Sequence, residues 1–291
     1  MTQLSFHEVP GAVTSPQGFR AAAINCGIKP HQLDLALVCS DLSATAAVTV
    51  TTNRFRAAPT YVTQEHAADG CARAVITNSG MANAATDERG WEAARQMARL
   101  AGEALGIPAG EVLVCSTGHI GDQLPMGKIA GGMPRLVAAL RADGGEEAAQ
   151  AIMTTDTFPK HLAVEFEIGG RPVRLGGICK GAGMICPNMA TMLCYLTTDL
   201  AVPAELLRPA LREAVDRSFN CITVDGDMST NDTVILLANG ASGAAVDSAA
   251  DPGDLPHGRR VALLAGGLEN KVEHLPSPAL QLCACHSSSP C

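Results

Sequence analysis

Aromatic residues are scarce in this 291-residue chain: six Phe, two Tyr and one Trp, 3% of the whole, with none after Phe219. A core normally draws heavily on aromatic burial, so the stretch beyond Phe219 is not expected to close a domain. There is no run of about 18 apolar residues, which excludes a membrane-spanning helix. The first ten residues, with His7 and Glu8, lack the basic and apolar segments of a signal peptide, and the expected location is the cytoplasm. No basic cluster exists, and 21 Lys and Arg against 29 Asp and Glu leave a net charge of −8. Neither nucleic acid nor a membrane surface is therefore an expected partner. The substrate is expected to be small. The 11 cysteines form no CxxC pair, and Cys283, Cys285, His286 and Cys291 fit no zinc spacing, so no metal site is expected.

What is present is a globular mixture, 47% apolar and 17% charged with 29 glycines, enough for one large core or two modest ones of roughly 100–200 residues each. Residues 33–39 and 45–52 are rich in apolar and β-branched side chains and bounded by turn formers such as Ser43 and Asn53, so they are read as two strands. Residues 73–77, 112–115, 193–198 and 234–238 give the same signal. Val164, Phe166 and Ile168 alternate up to Gly169-Gly170, and Val173 and Leu175 alternate beyond it, which predicts a hairpin. A helix is expected after Asp87 as cap, with Trp91, Ala94, Met97, Ala98, Ala101 and Leu105 at helical spacing and Gly106 and Pro108 as the stop. Further helical stretches are read at 136–140, 146–153 and 203–217, the last with a possible kink at Pro209.

The most informative string is Lys180-Gly181-Ala182-Gly183-Met184-Ile185-Cys186-Pro187-Asn188-Met189-Ala190-Thr191-Met192. It sets a lysine and two glycines ahead of a proline-containing loop, and the loop feeds a hydrophobic strand at Thr191. Glycines permit close backbone approach, and a hydroxyl at a loop-to-strand junction is well placed to be presented in a cleft. Residues alone take the matter no further, and an ordinary surface loop stays open. Asp225, Asp227, Ser229 and Asn231 alternate like the start of a calcium loop, but the sixth position is Thr230 and the twelfth Leu236. Neither a dinucleotide-binding GxGxxG nor a phosphate loop occurs in the right setting.

This string resembles the ornithine acetyltransferase family of arginine biosynthesis, the bifunctional glutamate N-acetyltransferases, whose precursor cuts itself before the threonine of such a motif. Gly18-Phe19-Arg20-Ala21-Ala22, Asp34-Leu35-Ala36-Leu37, Thr51-Thr52-Asn53, Asn78-Ser79-Gly80-Met81-Ala82-Asn83-Ala84, Ser116-Thr117-Gly118, Thr154-Thr155-Asp156-Thr157 and the segment from Asp225 to Thr233 follow the family's order over about residues 10–240. The resemblance implies an α/β (α+β) fold of layered sheets and helices. It implies cleavage between Ala190 and Thr191, Thr191 as nucleophile, Thr117 and Gly118 as the oxyanion hole, and Thr157, Lys180 and Thr191 as substrate contacts. His119 stands where the family usually has an aliphatic residue.

A threonine hydroxyl needs a base, and the α-amine that cleavage frees has a reference pKa of about 7.7–8.0, so cleavage creates the catalyst. The implied reaction moves acetyl from N-acetylornithine to glutamate through acetyl-Thr191, with no cofactor and with acetyl-CoA as a further co-substrate in some members. Family members assemble from two α and two β chains. By the same resemblance, 1–190 is the α-chain region, 191–240 begins the β chain, and 241–291 is a divergent or frameshifted tail with the family's C-terminal part missing. The family's later Asp-Gly-Glu-Gly-Ala-Thr-Lys string has no counterpart, and Glu269, in Gly267-Leu268-Glu269-Asn270-Lys271, is not assigned to it. Two other readings stay open: a remnant that cleaves itself without turnover, and an amidohydrolase or aminopeptidase of the related self-cleaving fold.

Overall fold

In the computed structural model, which describes residues 6–183, 192–222 and 224–246, the apolar alternation of the sequence becomes nine strands and five α-helices. The strands are β1 (Phe6–Glu8), β2 (Phe19–Ile24), β3 (Leu35–Val50), β4 (Cys71–Met81), β5 (Val112–His119), β6 (Lys160–Ile168), β7 (Arg171–Lys180), β8 (Leu193–Thr198) and β9 (Thr233–Ala238). The helices are α1 (Ala58–His66), α2 (Asp87–Leu105), α3 (Met126–Ala138), α4 (Gly145–Ala151) and α5 (Ala204–Arg217). Strand pairing runs β1-β6-β7-β8-β9-β3-β4-β5, with β2 also on β3. The β4–β5 and β8–β9 pairs are parallel.

Because side chains alternate across a strand, the central strands feed two different cores. Ala74 and Ile76 of β4 and Val112 and Val114 of β5 pack with Val62 of α1, Met97 of α2 and Ile129 of α3. Their neighbours Val75, Leu113 and Cys115 face the other way, into a central core shared with Ile178, Leu193, Tyr195, Ile235 and Leu237. The opposite faces of those later strands, including Cys194, Leu196, Val234 and Leu236, pack on Leu207, Leu211 and Val215 of α5. The pairing network thus doubles back so that two sheet halves face each other, with helices outside both. The expected layering of sheets and helices is what the chain adopts.

Strand β3 makes the doubling possible. Residues 33–39 and 45–52 were expected to be separate strands, but β3 runs through Ser43 as one strand. It pairs first with β2 and β4 and then with β9, across an irregularity between Cys39 and Ala44. Asp41, in that irregular stretch, is tied down by the guanidinium of Arg20 at 2.7 Å. The hairpin of β6 and β7 forms as expected. Gly169 and Gly170 both take positive φ, 57° and 76°, which suits a two-residue turn.

Asp87 is not the cap of α2 but its first residue, because Thr86 occupies the cap position and spends its hydroxyl on Asn83 Oδ1 at 2.9 Å. Asp87 and Glu88 instead place negative charge at the helix's positive end. Gly106 ends the helix in the left-handed conformation, as its position predicts. Pro209 lies inside α5. No helix among the described residues is long and apolar enough to cross a membrane.

Candidate active site

Parallel and antiparallel pairing bring three strand ends and two strand beginnings to one edge of the layered sheets. β4 and β5 end together there, β7 ends at Lys180, and β8 and β9 start there in register, Lys180 opposite Leu193 and Leu193 opposite Thr233. A cleft of about 670 Å³ opens at this edge. Its lining includes Thr117, Gly118 and Lys180, which come from positions far apart in the chain, together with Lys29, Thr154 and Asn231.

Thr117 and Gly118 are held by the close approach of β4. Gly118 has φ +134°, and a Cβ there would lie 2.2 Å from the carbonyl carbon of Gly80. Only glycine fits. Lys180, almost fully buried, donates to Thr117 Oγ1 at 3.1 Å and to Thr154 Oγ1 at 2.9 Å. With an ammonium occupying a lone pair of its oxygen, the Thr117 hydroxyl keeps its own proton to donate to another group. Burial pushes the Lys180 amine below its ordinary range, and the negative charge of Asp156 opposes that push.

Asp156 organises the floor beneath Lys180. Its Oδ1 accepts from Lys160 Nζ and from the backbone N–H of Gly181 at 2.7 Å, and its Oδ2 from the N–H of Thr154 at 3.2 Å. Burial raises its pKa, but the charges of Lys180 and Lys160 with these hydrogen bonds outweigh burial, and the carboxyl lies below its usual range. Lys29 donates to the carbonyls of Met153 and Leu33 at 2.6 and 3.2 Å, and burial lowers its pKa. The loop carrying it is wrapped around buried Asp34, which accepts from the N–H groups of Cys26, Gly27, Ile28 and Lys29. Two ammonium groups thus meet the cleft on one side, while the exposed Asp225 and Asp227 line it elsewhere.

Of the residues expected from the sequence, Thr117, Gly118 and Lys180 come together in the cleft. Thr157 is exposed and is not part of the lining, although Thr154 and Thr155 of the same string are. Ala190 and Thr191 lie outside the described residues, as do residues 247–291 with Cys283, Cys285, His286, Cys291 and Glu269. Before residue 184 the chain is at the cleft, where Gly183 lines it; after 191 the buried Met192 donates its N–H at 2.7 Å to Oδ1 of Asp232, the neighbour of the cleft-lining Asn231. Sequence reasoning gave no role to Asp156, Asp232, Asp34 and Lys29, and weighed Asn231 only within a calcium-like alternation. An acid among three threonines and a lysine four positions later was the one signal for Asp156.

Comparison with known proteins bears on this geometry. Residues 20–267 match the ArgJ family model. The Geobacter sulfurreducens arginine biosynthesis bifunctional protein ArgJ is 52% identical over 238 residues, 81% of this chain and 61% of the relative. The chain spans about three-fifths of the length of the curated relatives it matches. The ornithine acetyltransferase of Mycobacterium tuberculosis, solved in complex with ornithine, superposes with a TM-score of 0.58 at 40% identity, covering 65% of this chain and all of that one. An L-aminopeptidase D-Ala-esterase/amidase of Ochrobactrum anthropi, a variant of the Ntn-hydrolase fold, aligns over 93% of this chain and 88% of its own with a TM-score of 0.56. At 12% identity that likeness concerns the fold alone.

Proposed function

The chain belongs to the ArgJ family, and from that premise we propose that it is a cytoplasmic self-cleaving acyltransferase of arginine biosynthesis, moving acetyl from N-acetylornithine to glutamate. The observation that carries the proposal is the cleft contact of Lys180 Nζ with Thr117 Oγ1, beside a glycine that no other residue can replace. A hydroxyl donor next to the backbone of Gly118 supports an oxyanion hole formed by the two. In the precursor, Thr191 Oγ attacks the Ala190 carbonyl carbon, the C–N bond breaks and the Thr191 nitrogen takes up the proton. Water then hydrolyses the ester and leaves Thr191 with a free α-amine and a free hydroxyl.

In turnover the α-amine takes the hydroxyl proton as Oγ attacks the acetyl carbonyl of N-acetylornithine, and ornithine leaves with that proton on its amine. The amine of glutamate then attacks acetyl-Thr191, and N-acetylglutamate leaves. Lys180 pairs with the substrate carboxylate, and the exposed acids Asp225 and Asp227 suit the charged amine of an amino-acid substrate. The Thr157 substrate contact rests on the resemblance alone. The proposal includes acetyl-CoA as a further acetyl donor and an assembly of two copies each of fragments 1–190 and 191–291. Denaturing electrophoresis tests it. Wild type should separate into those two fragments, Thr191→Ala should stay one chain, and the cleaved sample should transfer acetyl from N-acetylornithine to glutamate. A wild-type chain that stays whole after long incubation would count against the nucleophile. Acetate released without transfer would favour a hydrolase.

A further inference from the structure

Asn231 and Asp232, beyond the two acids that suit the substrate amine, have no role in the chemistry above, yet both are held by hydrogen bonds to distant parts of the chain. Asn231 Nδ2 donates to the carbonyls of Ala82 at 2.6 Å and Ser116 at 2.9 Å, tying the approach to β9 to the ends of β4 and β5. The carbonyl of Asp232 accepts from Thr51 N–H at 2.8 Å. With its backbone fixed, the fully buried Asp232 has a defined target: Oδ1 accepts the Met192 N–H at 2.7 Å. The next residue, Thr233, donates its N–H to the Met192 carbonyl at 2.9 Å. Both backbone groups of Met192 are therefore held by consecutive residues, one of them through a side chain that continues the β8–β9 ladder beyond its first pair, Leu193 and Thr233.

A peptide unit is planar, so whatever fixes the N–H of residue 192 also restricts the residue before it. Chain termini fray unless tied down, and cleavage before Thr191 would create a terminus one residue from this anchor. We infer that Asp232 is a positioning residue, whose hold on the Met192 amide restricts how the chain can carry the hydroxyl of residue 191, so that self-cleavage depends on it. The inference rests on Thr191 being the nucleophile. The second carboxyl oxygen, Oδ2, is buried without a hydrogen-bond partner among the described residues. Burial holds this carboxyl well above its usual range, against the pull of the Met192 N–H, Ser229 and Lys180.

The test compares wild type, Thr191→Ala, Asp232→Asn and Asp232→Leu, with cleavage followed by pulse labelling and amide exchange read at Met192 and along β8. Asn keeps a neutral oxygen acceptor, and Leu keeps the branched shape without one. Asp232→Asn should cleave within about threefold of wild type, with the Met192 amide still protected. Asp232→Leu should cleave about 100-fold more slowly, the scale of a misplaced reacting group, with Met192 exchanging fast while β8 stays protected. Wild-type cleavage in a folded Asp232→Leu chain overturns the inference, and so does an Asp232→Asn chain as slow as Asp232→Leu. If Asp232→Leu does not fold, Asp232→Asn decides: loss of Met192 protection or of cleavage in it overturns the inference. A wild-type chain as uncut as Thr191→Ala would fail the nucleophile assignment, and the exchange measurement would still decide whether Asp232 anchors Met192.

Discussion

Thr117 carries one hydroxyl, and the fold places a buried ammonium 3.1 Å from its oxygen. The proton it can still donate is what an oxyanion hole uses, so its loss should appear in the rate rather than the fold. Thr117→Val keeps the branched shape and should slow self-cleavage by about 100- to 1000-fold, whereas Thr117→Ser should remain within about tenfold of wild type. Pulse labelling of both variants checks this, and a Val variant that cleaves at the wild-type rate would rule Thr117 out of the hole. Thr117, Gly118 and Lys180 were named only through the resemblance of their short strings to a known family, and the fold brings the three together in the cleft. The roles of Asp156, Asn231 and Asp232 were not legible, because what makes each of them matter lies far along the chain. Gly181 is 25 positions from Asp156, Ala82 is 149 from Asn231 and Met192 is 40 from Asp232. No local pattern announces such partners.

At the scale of elements, strands whose two faces meet different cores were legible as apolar runs, and the glycine pair of the β6–β7 turn announced its hairpin. Helix α1 went unseen because its apolar residues, Val62 among Thr60, Thr63, Gln64 and Glu65, make no helical stripe. Tertiary burial under β5 holds it, with the Thr63 hydroxyl donating to the Val114 carbonyl and accepting the Val114 N–H at 2.6 and 2.7 Å. The doubling of the sheet was invisible for a related reason, since facing strands share no sequence proximity. Thr77 of β4 and Tyr195 of β8 mark it, their hydroxyls 2.8 Å apart in the buried space between the two halves. Tyr195→Phe should strand the Thr77 hydroxyl and cost about 1–3 kcal/mol of stability, seen as a lower midpoint in urea unfolding. Cleavage should be little changed, because this contact lies in the central core. An unchanged midpoint would mean that the two hydroxyls contribute nothing to joining the halves.

For the whole molecule, that buried space makes alkaline pH the vulnerable side. Burial pushes the Cys115 thiol from 9.0 up to about 12, and burial with the Asp34 carboxylate does the same for Cys26. Cys39 and Tyr195 are raised in the same sense, burial again being the largest cause. Between the ordinary and the raised values the folded chain keeps protons that the unfolded chain gives up, so stability falls as pH rises. Lys29 and Lys180 act oppositely, since burial lowers them and the unfolded chain holds more protons up to 10.5. Their gain is complete at 10.5, whereas the thiols go on losing stability towards 12.

On the acid side, Asp156 is depressed and stabilises above its unfolded value of 3.8, a contribution lost as pH falls through its folded value. Asp199 and Asp232 are raised, so protonating them as pH falls towards 3.8 favours the fold and blunts that loss. Urea midpoints of the uncut Thr191→Ala chain, which unfolds as one polypeptide, should therefore rise as pH falls from neutral towards 3.8 and fall steeply above 10.5. Adding Cys115→Ala should lower the neutral midpoint through the cavity it leaves and flatten the alkaline fall by about 1.4 kcal/mol per pH unit, one proton's worth. An alkaline slope untouched by that substitution would place the proton linkage elsewhere than in the core between the two sheet halves.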